Sequence, residues 1–150
     1  MRVYLVVIDE TQEAKAALRF AARRAARTGG NVEILALIPQ QEFVEWGGVQ
    51  AAIEEEARLR AEAAVLEASG AIVEEAGVRP SITVRQGDPV KAVSELLKER
   101  DNIAALVLGA APEGSPGPLI AHFTAIAGTL PCLLMIVPGN LSDEALDRLS

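Results

Sequence analysis

The chain reads as an α/β protein built on an open, doubly wound parallel sheet of five strands with helices on both faces. Strand-type and helix-type patterns alternate from end to end, and the strand-type runs are continuous apolar stretches, as in strands buried on both faces. The 150 residues suit one compact domain over 1–150, which at this length buries a core without disulfides or metals.

Residues 3–8, Val-Tyr-Leu-Val-Val-Ile, form the first strand and end at Asp9. Thr11 then caps a helix that carries Ala14, Ala17, Leu18, Ala21, Ala22 and Ala25 on one face and stops at Gly29-Gly30. Residues 32–38 make the second strand, closed by Pro39, and a connecting stretch with Phe43 and Trp46 follows. A long Ala/Glu-rich helix over 49–76 has Ala52, Ala63, Leu66 and Val73 as its stripe, with Leu59 beside it. Gly70 marks a bend or a close approach in that helix, because glycine weakens a helix interior.

Residues 81–86 give the third strand. Gly87-Asp88-Pro89 then supplies a turn, an N-cap and a proline at the first helical position. The helix it starts buries Val90, Val93 and Leu97 and ends near Arg100. The fourth strand, 103–108, runs into Gly109; a helix over 118–128 and a fifth strand over 132–137 complete the pattern. Ser142 caps a short terminal helix, with Leu141 placed to pack on Leu146.

Fourteen basic and 21 acidic residues leave a net charge of −7, which argues against a nucleic-acid or anionic-membrane surface. No apolar run reaches the ~18 residues of a bilayer span. The start, Met-Arg-Val-Tyr-Leu-Val-Val-Ile-Asp, lacks a signal-peptide cleavage site, so the expected location is the cytoplasm. Cys132, the one cysteine, excludes an internal disulfide and a thiolate metal cluster and reads as a buried structural thiol. The basic residues of the first helix, Lys15, Arg19, Arg23, Arg24 and Arg27, and the many glutamates of the second read as solvated faces.

Residues 106–128, Leu-Val-Leu-Gly-Ala-Ala-Pro-Glu-Gly-Ser-Pro-Gly-Pro and the helix after it, have the outline of a phosphate loop. Gly109 and Gly114 have Walker spacing, but Ser115-Pro116 follows and the lysine is absent. No Gly-x-Gly-x-x-Gly occurs, which excludes a dinucleotide fingerprint. What remains is a looser anion grip by backbone amides around Gly114, Ser115 and Gly117, weakened by Pro112, Pro116 and Pro118, which have no amide hydrogen. His122 reads as a packed or half-exposed helix histidine, and Ser115, His122 and Asp9 lack the elbow of a nucleophile site. No acid, histidine or cysteine spacing marks a metal site.

In an open sheet a ligand binds beyond the carboxyl ends of the strands, where the winding reverses. The candidates there are Asp9, Ile38, Gly87 and Gly109. Asp9 is either an acceptor for a ribose hydroxyl or a turn aspartate, and Gly109 would let a ligand approach the backbone.

Val-Val-Ile-Asp9, Gly87-Asp88-Pro89, Leu-Val-Leu-Gly109 and Leu130-Pro131-Cys132 leading into Leu-Leu-Met-Ile-Val-Pro138 together resemble the universal stress protein family over nearly the whole chain. The resemblance implies a Rossmann-like sheet in the order 3-2-1-4-5 and homodimers joined through the last strand, here Cys132 to Val137. Some members bind ATP or AMP through Gly-x-x-Gly, nine residues, Gly-Ser/Thr. Asp9 and Gly109 match the start of that pattern, whereas Pro112 stands for its second glycine and Ile120-Ala121 for its Gly-Ser.

The expectation is therefore a non-catalytic stress-response homodimer with weak or no ATP binding and no obligate cofactor. The alternative is a module holding ATP, AMP or another small ligand at Asp9, Ile38, Gly109 and Gly117, with Phe43 and Trp46 as a flap or a docked contact; slow ATP hydrolysis is a third class, for which no residue is positioned as a base.

Overall fold

A computed structural model describes residues 1–9, 11–38 and 47–150; Pro39, Phe43 and Trp46 lie outside the described residues. The elements run β1 Val3–Ile8, α1 Gln12–Thr28, β2 Asn31–Ile38, α2 Gly47–Ala76, β3 Ser81–Gln86 and α3 Pro89–Glu99. They continue with β4 Ile103–Ala110, α4 Pro118–Ala125, β5 Leu133–Pro138 and α5 Asp143–Leu149. All strand pairs are parallel, in the order β3-β2-β1-β4-β5.

The apolar content of each strand decides its place. β1 and β4 bury nearly every side chain at the centre, while β3 and β5 at the edges leave residues such as Ile82, Val84, Leu133 and Ile136 exposed. Alternation along β1 divides the core in two. Tyr4, Val6 and Ile8 pack under α1 and α5, with Ala17, Ala21, Ala25 and Leu146 among their neighbours. Leu5 and Val7 pack under α3 and α4 with Val93, Leu96 and the fully enclosed Phe123.

The caps form as their residues predict. Thr11 Oγ1 accepts from the Ala14 amide at 3.2 Å, an Asp88 carboxylate oxygen from the Lys91 amide at 2.9 Å, and Ser142 Oγ from the Ala145 amide at 3.1 Å. The fourth helix is shorter than its pattern suggests: it ends at Ala125, and a 3-10 turn over Ala127–Thr129 takes up the chain before Pro131. α3 buries Ala92 and Leu96 as well as Val93 and Leu97, and leaves Val90 half-buried.

Two expectations are corrected. On α2 the buried residues are Val65 and Ile72, while Leu59, Leu66 and Val73 are exposed. The helix is apolar on two sides, so periodicity alone does not choose which side meets the sheet. On α1, Arg19 and Arg23 are not free solvated charges. Arg19 pairs with Glu75 of α2 at 2.9 Å and Asp147 of α5 at 3.2 Å, and Arg23 Nε lies 2.8 Å from Asp147.

α1 sits close to the sheet at its first turn. A Cβ built on Gly109 would overlap the Glu13 carbonyl, and one on Gly139 would lie 2.8 Å from Glu13 Cβ and 2.9 Å from the Ala110 oxygen. Both positions must be glycine for this packing. Gly109→Ala is expected to lower unfolding stability by about 3 kcal/mol, as overpacking against a rigid backbone does. Chemical denaturation checks this, and an unchanged midpoint would refute it.

The hydrogen bond from Arg19 holds the Asp147 carboxyl below its ordinary value of 3.8. A carboxylate depressed in the folded state stabilises above its unfolded pKa and loses that contribution as the pH falls through the folded one. Melting curves between neutral pH and pH 3 should therefore show a smaller acid-induced drop for Asp147→Asn than for the wild type. Equal drops would show that the pair contributes nothing.

Candidate functional site

The carboxyl ends of β1 and β4, where the winding of the sheet reverses, open into a cleft of about 620 Å³. Val7, Asp9, Thr11, Glu13 and Ala14 line it from β1 and the start of α1, and Leu37 from β2. Gly87-Asp88-Pro89 closes the β3 side; Leu108, Gly109 and residues 116–120 form the far wall.

Three of the four sequence candidates thus meet: Asp9, Gly109 and Gly117. The Ile38 side chain does not join them. It is buried at the end of β2, and strand alternation gives the cleft side to Leu37, while the Ile38 carbonyl accepts from the Gly87 amide at 3.4 Å.

Asp9 is a turn aspartate as well as a cleft residue. Its Oδ1 accepts from the Thr11 amide at 2.9 Å and from the Thr11 hydroxyl, which fixes the entry into α1. Oδ2 has no partner among the described residues and is the acceptor Asp9 can offer to a ligand. Gly109, in turn, is explained by the backbone of Glu13 that crosses it.

The loop beyond β4 is held by two backbone bonds, from the Ala111 amide to the Pro116 oxygen at 3.3 Å and from the Gly139 amide to the Ala110 oxygen at 2.9 Å. Gly117 begins α4 at φ 123°, a conformation open to glycine, and provides no capping side chain. Pro118 follows and has no amide hydrogen. The Leu119 and Ile120 amides therefore remain as helix-end donors on the cleft wall.

The charge of the cleft is one-sided. Asp9, Glu13 and Asp88 line it, and no Lys, Arg or His does among the described residues. With Val7, Leu37, Leu108, Leu119 and Ile120 as walls, the site suits a flat or apolar group with hydroxyl or amine donors and few negative charges.

The other chemistry-bearing residues lie elsewhere. His122 is half-buried, with its ring edge-on to Phe123 at 4.9 Å between centroids. Cys132 is half-buried rather than fully enclosed, and burial pushes its thiol up, away from thiolate character. Among the described residues no group of three or more His, Cys, Asp or Glu side chains is placed to hold a metal. No helix there is long and apolar enough to cross a membrane.

Sequence reading missed Glu13 and Leu37. The nearly continuous apolar run of β2 marks neither side as the cleft side, and nothing in the pattern of α1 singles out Glu13, whose backbone crosses Gly109. Asp9→Ala removes both bonds to Thr11 and should lower stability by about 1 kcal/mol. Equilibrium urea unfolding measures this; no change would remove Asp9 from the start of α1.

Known proteins share this architecture. The universal stress protein family matches residues 1–138. Universal stress protein UspA from Lactobacillus plantarum superposes with a TM-score of 0.74 at 17% identity, covering 91% of this chain and 97% of its own. A universal stress protein from Archaeoglobus fulgidus in complex with dAMP gives 0.60 at 17% identity, with coverages of 91% and 97%. A universal stress protein family protein from Arabidopsis thaliana with AMP bound also gives 0.60 at 17%, with coverages of 96% and 95%. At these identities the likeness establishes the fold. No curated protein sequence matches the chain significantly.

Proposed function

The chain belongs to the universal stress protein family, and on that premise we propose that it is a non-catalytic, cytoplasmic stress-response homodimer. Its cleft takes an adenine nucleoside or nucleoside monophosphate and holds ATP weakly or not at all. The observation that carries this reading is the lining of the cleft: three acidic residues, no cation among the described residues, and a loop in which three prolines replace possible amide donors.

A triphosphate brings about four negative charges, and without a lysine or arginine the grip falls to the backbone amides of Gly117, Leu119 and Ile120. A nucleoside brings a ribose whose hydroxyls can donate to Asp9 Oδ2 and a base that fits among the aliphatic walls. The structures with dAMP and AMP bound support the ligand class.

Pairing through β5 is supported by the edge itself. Leu133 and Ile136 are exposed on opposite faces of the strand, so a second copy continuing the sheet would cover both.

Isothermal titration with ATP, AMP and adenosine tests the ligand reading. AMP or adenosine should bind at least as tightly as ATP. Sub-micromolar ATP binding at one site per chain would overturn it. Asp9→Ala should abolish the ligand-induced rise in melting temperature, measured against the variant's own unliganded baseline.

A further inference from the structure

The side of α2 turned away from the sheet repeats. Leu59, Leu66 and Val73 are seven residues apart and are 53%, 71% and 39% exposed, although the helix already buries Val65 and Ile72 on its other side. Seven-residue spacing keeps them on one side of the helix, and Ala63 and Gly70 fall between them at the spacing of a coiled-coil seam. Gly70 answers to no packing contact among the described residues: α2 runs through it unbroken from Gly47 to Ala76, and a Cβ built on it would meet nothing within 4 Å. A glycine that weakens the helix and relieves no contact inside the domain points to a contact outside it.

We infer that this face is a self-complementary seam that packs antiparallel against α2 of a second copy of the chain. In one antiparallel register Leu66 faces Ala63 of the second copy and Leu59 faces its Gly70, with the two-fold axis repeating both contacts. Every leucine then meets a small residue, which lets the two backbones approach. The same register sets Val73 opposite Glu56 of the second copy and brings Arg60, which pairs with Glu56 of its own helix at 3.1 Å, beside Glu67 of the second copy, twice by symmetry.

A parallel pairing is worse on both counts. It would set Ala63 on Ala63 and Gly70 on Gly70, leaving voids between leucine layers, and would bring Glu62 beside Glu67 of the other chain. Large-against-small packing and opposite flanking charges both select the antiparallel copy as the occupant. This contact is separate from the β5 edge, which lies at the far side of the sheet from β2, the strand that α2 packs on, so dimers joined through β5 are linked further through α2.

The test is done in the Ile136→Arg background, in which pairing through β5 is blocked, so that the two contacts are read independently. By sedimentation, Ile136→Arg protein should remain a dimer of the 15.8 kDa chain. Adding Leu66→Glu should make it monomeric with its melting temperature retained, because Leu66 supports no internal packing. Arg60→Glu should weaken self-association at least about tenfold by setting like charges across the seam, and Glu67→Arg should do the same. The double exchange Arg60→Glu/Glu67→Arg should restore it. A monomeric Ile136→Arg protein, dimers that survive Leu66→Glu, or a double exchange that fails to restore association would each overturn the inference.

Discussion

The first turn of α1 lies so close to the carboxyl ends of the sheet that Glu13 leaves no room for a Cβ at Gly109 or Gly139. That contact sets the distance between α1 and β4, and with it the mouth of the cleft. Asp9 and Thr11 reinforce it from the β1 side, since the Asp9 carboxylate turns the chain into the helix that Thr11 caps. The buried alanines along α1 keep the rest of that helix equally close to β1 and β4. The cleft is in this sense a consequence of helix packing before it is a ligand site.

The same geometry distributes the charges. The cationic side of α1 turns toward α2 and α5, where Arg19 and Arg23 are occupied by Glu75 and Asp147. Its first turn contributes the acidic Glu13 to the cleft lining instead. A phosphate-rich ligand would thus meet Asp9, Glu13 and Asp88 and draw compensation from helix-end amides alone, a weak grip when the ligand's charge is high. An uncharged or singly phosphorylated nucleoside avoids most of that repulsion while keeping the aliphatic walls.

The strands were legible in the sequence because β1, β2 and β4 are continuous apolar runs, a pattern that only a strand buried on both faces accommodates. Thr11, Asp88 and Ser142 were legible as caps because their chemistry is local. Asp9, Gly109 and Gly117 could be placed together once the winding order was assumed. The rest depended on distance in space. Gly109 looks like an opening for a ligand until the Glu13 carbonyl is seen against it, and Ile38 looks equivalent to Leu37 until alternation assigns each a face. Leu59, Leu66 and Val73 look like core because apolar spacing records that a helix face is covered without recording by what.

The most direct measurement is an amide-resolved NMR titration of the full chain with AMP, since it reads where a ligand sits whatever its affinity. Shifts concentrated at Thr11, Gly109, Gly117, Leu119 and Ile120 are predicted, with the α2 and α5 amides unmoved. Shifts confined to α2 and α5, or none at any concentration, would contradict the assignment of the cleft as the nucleotide site.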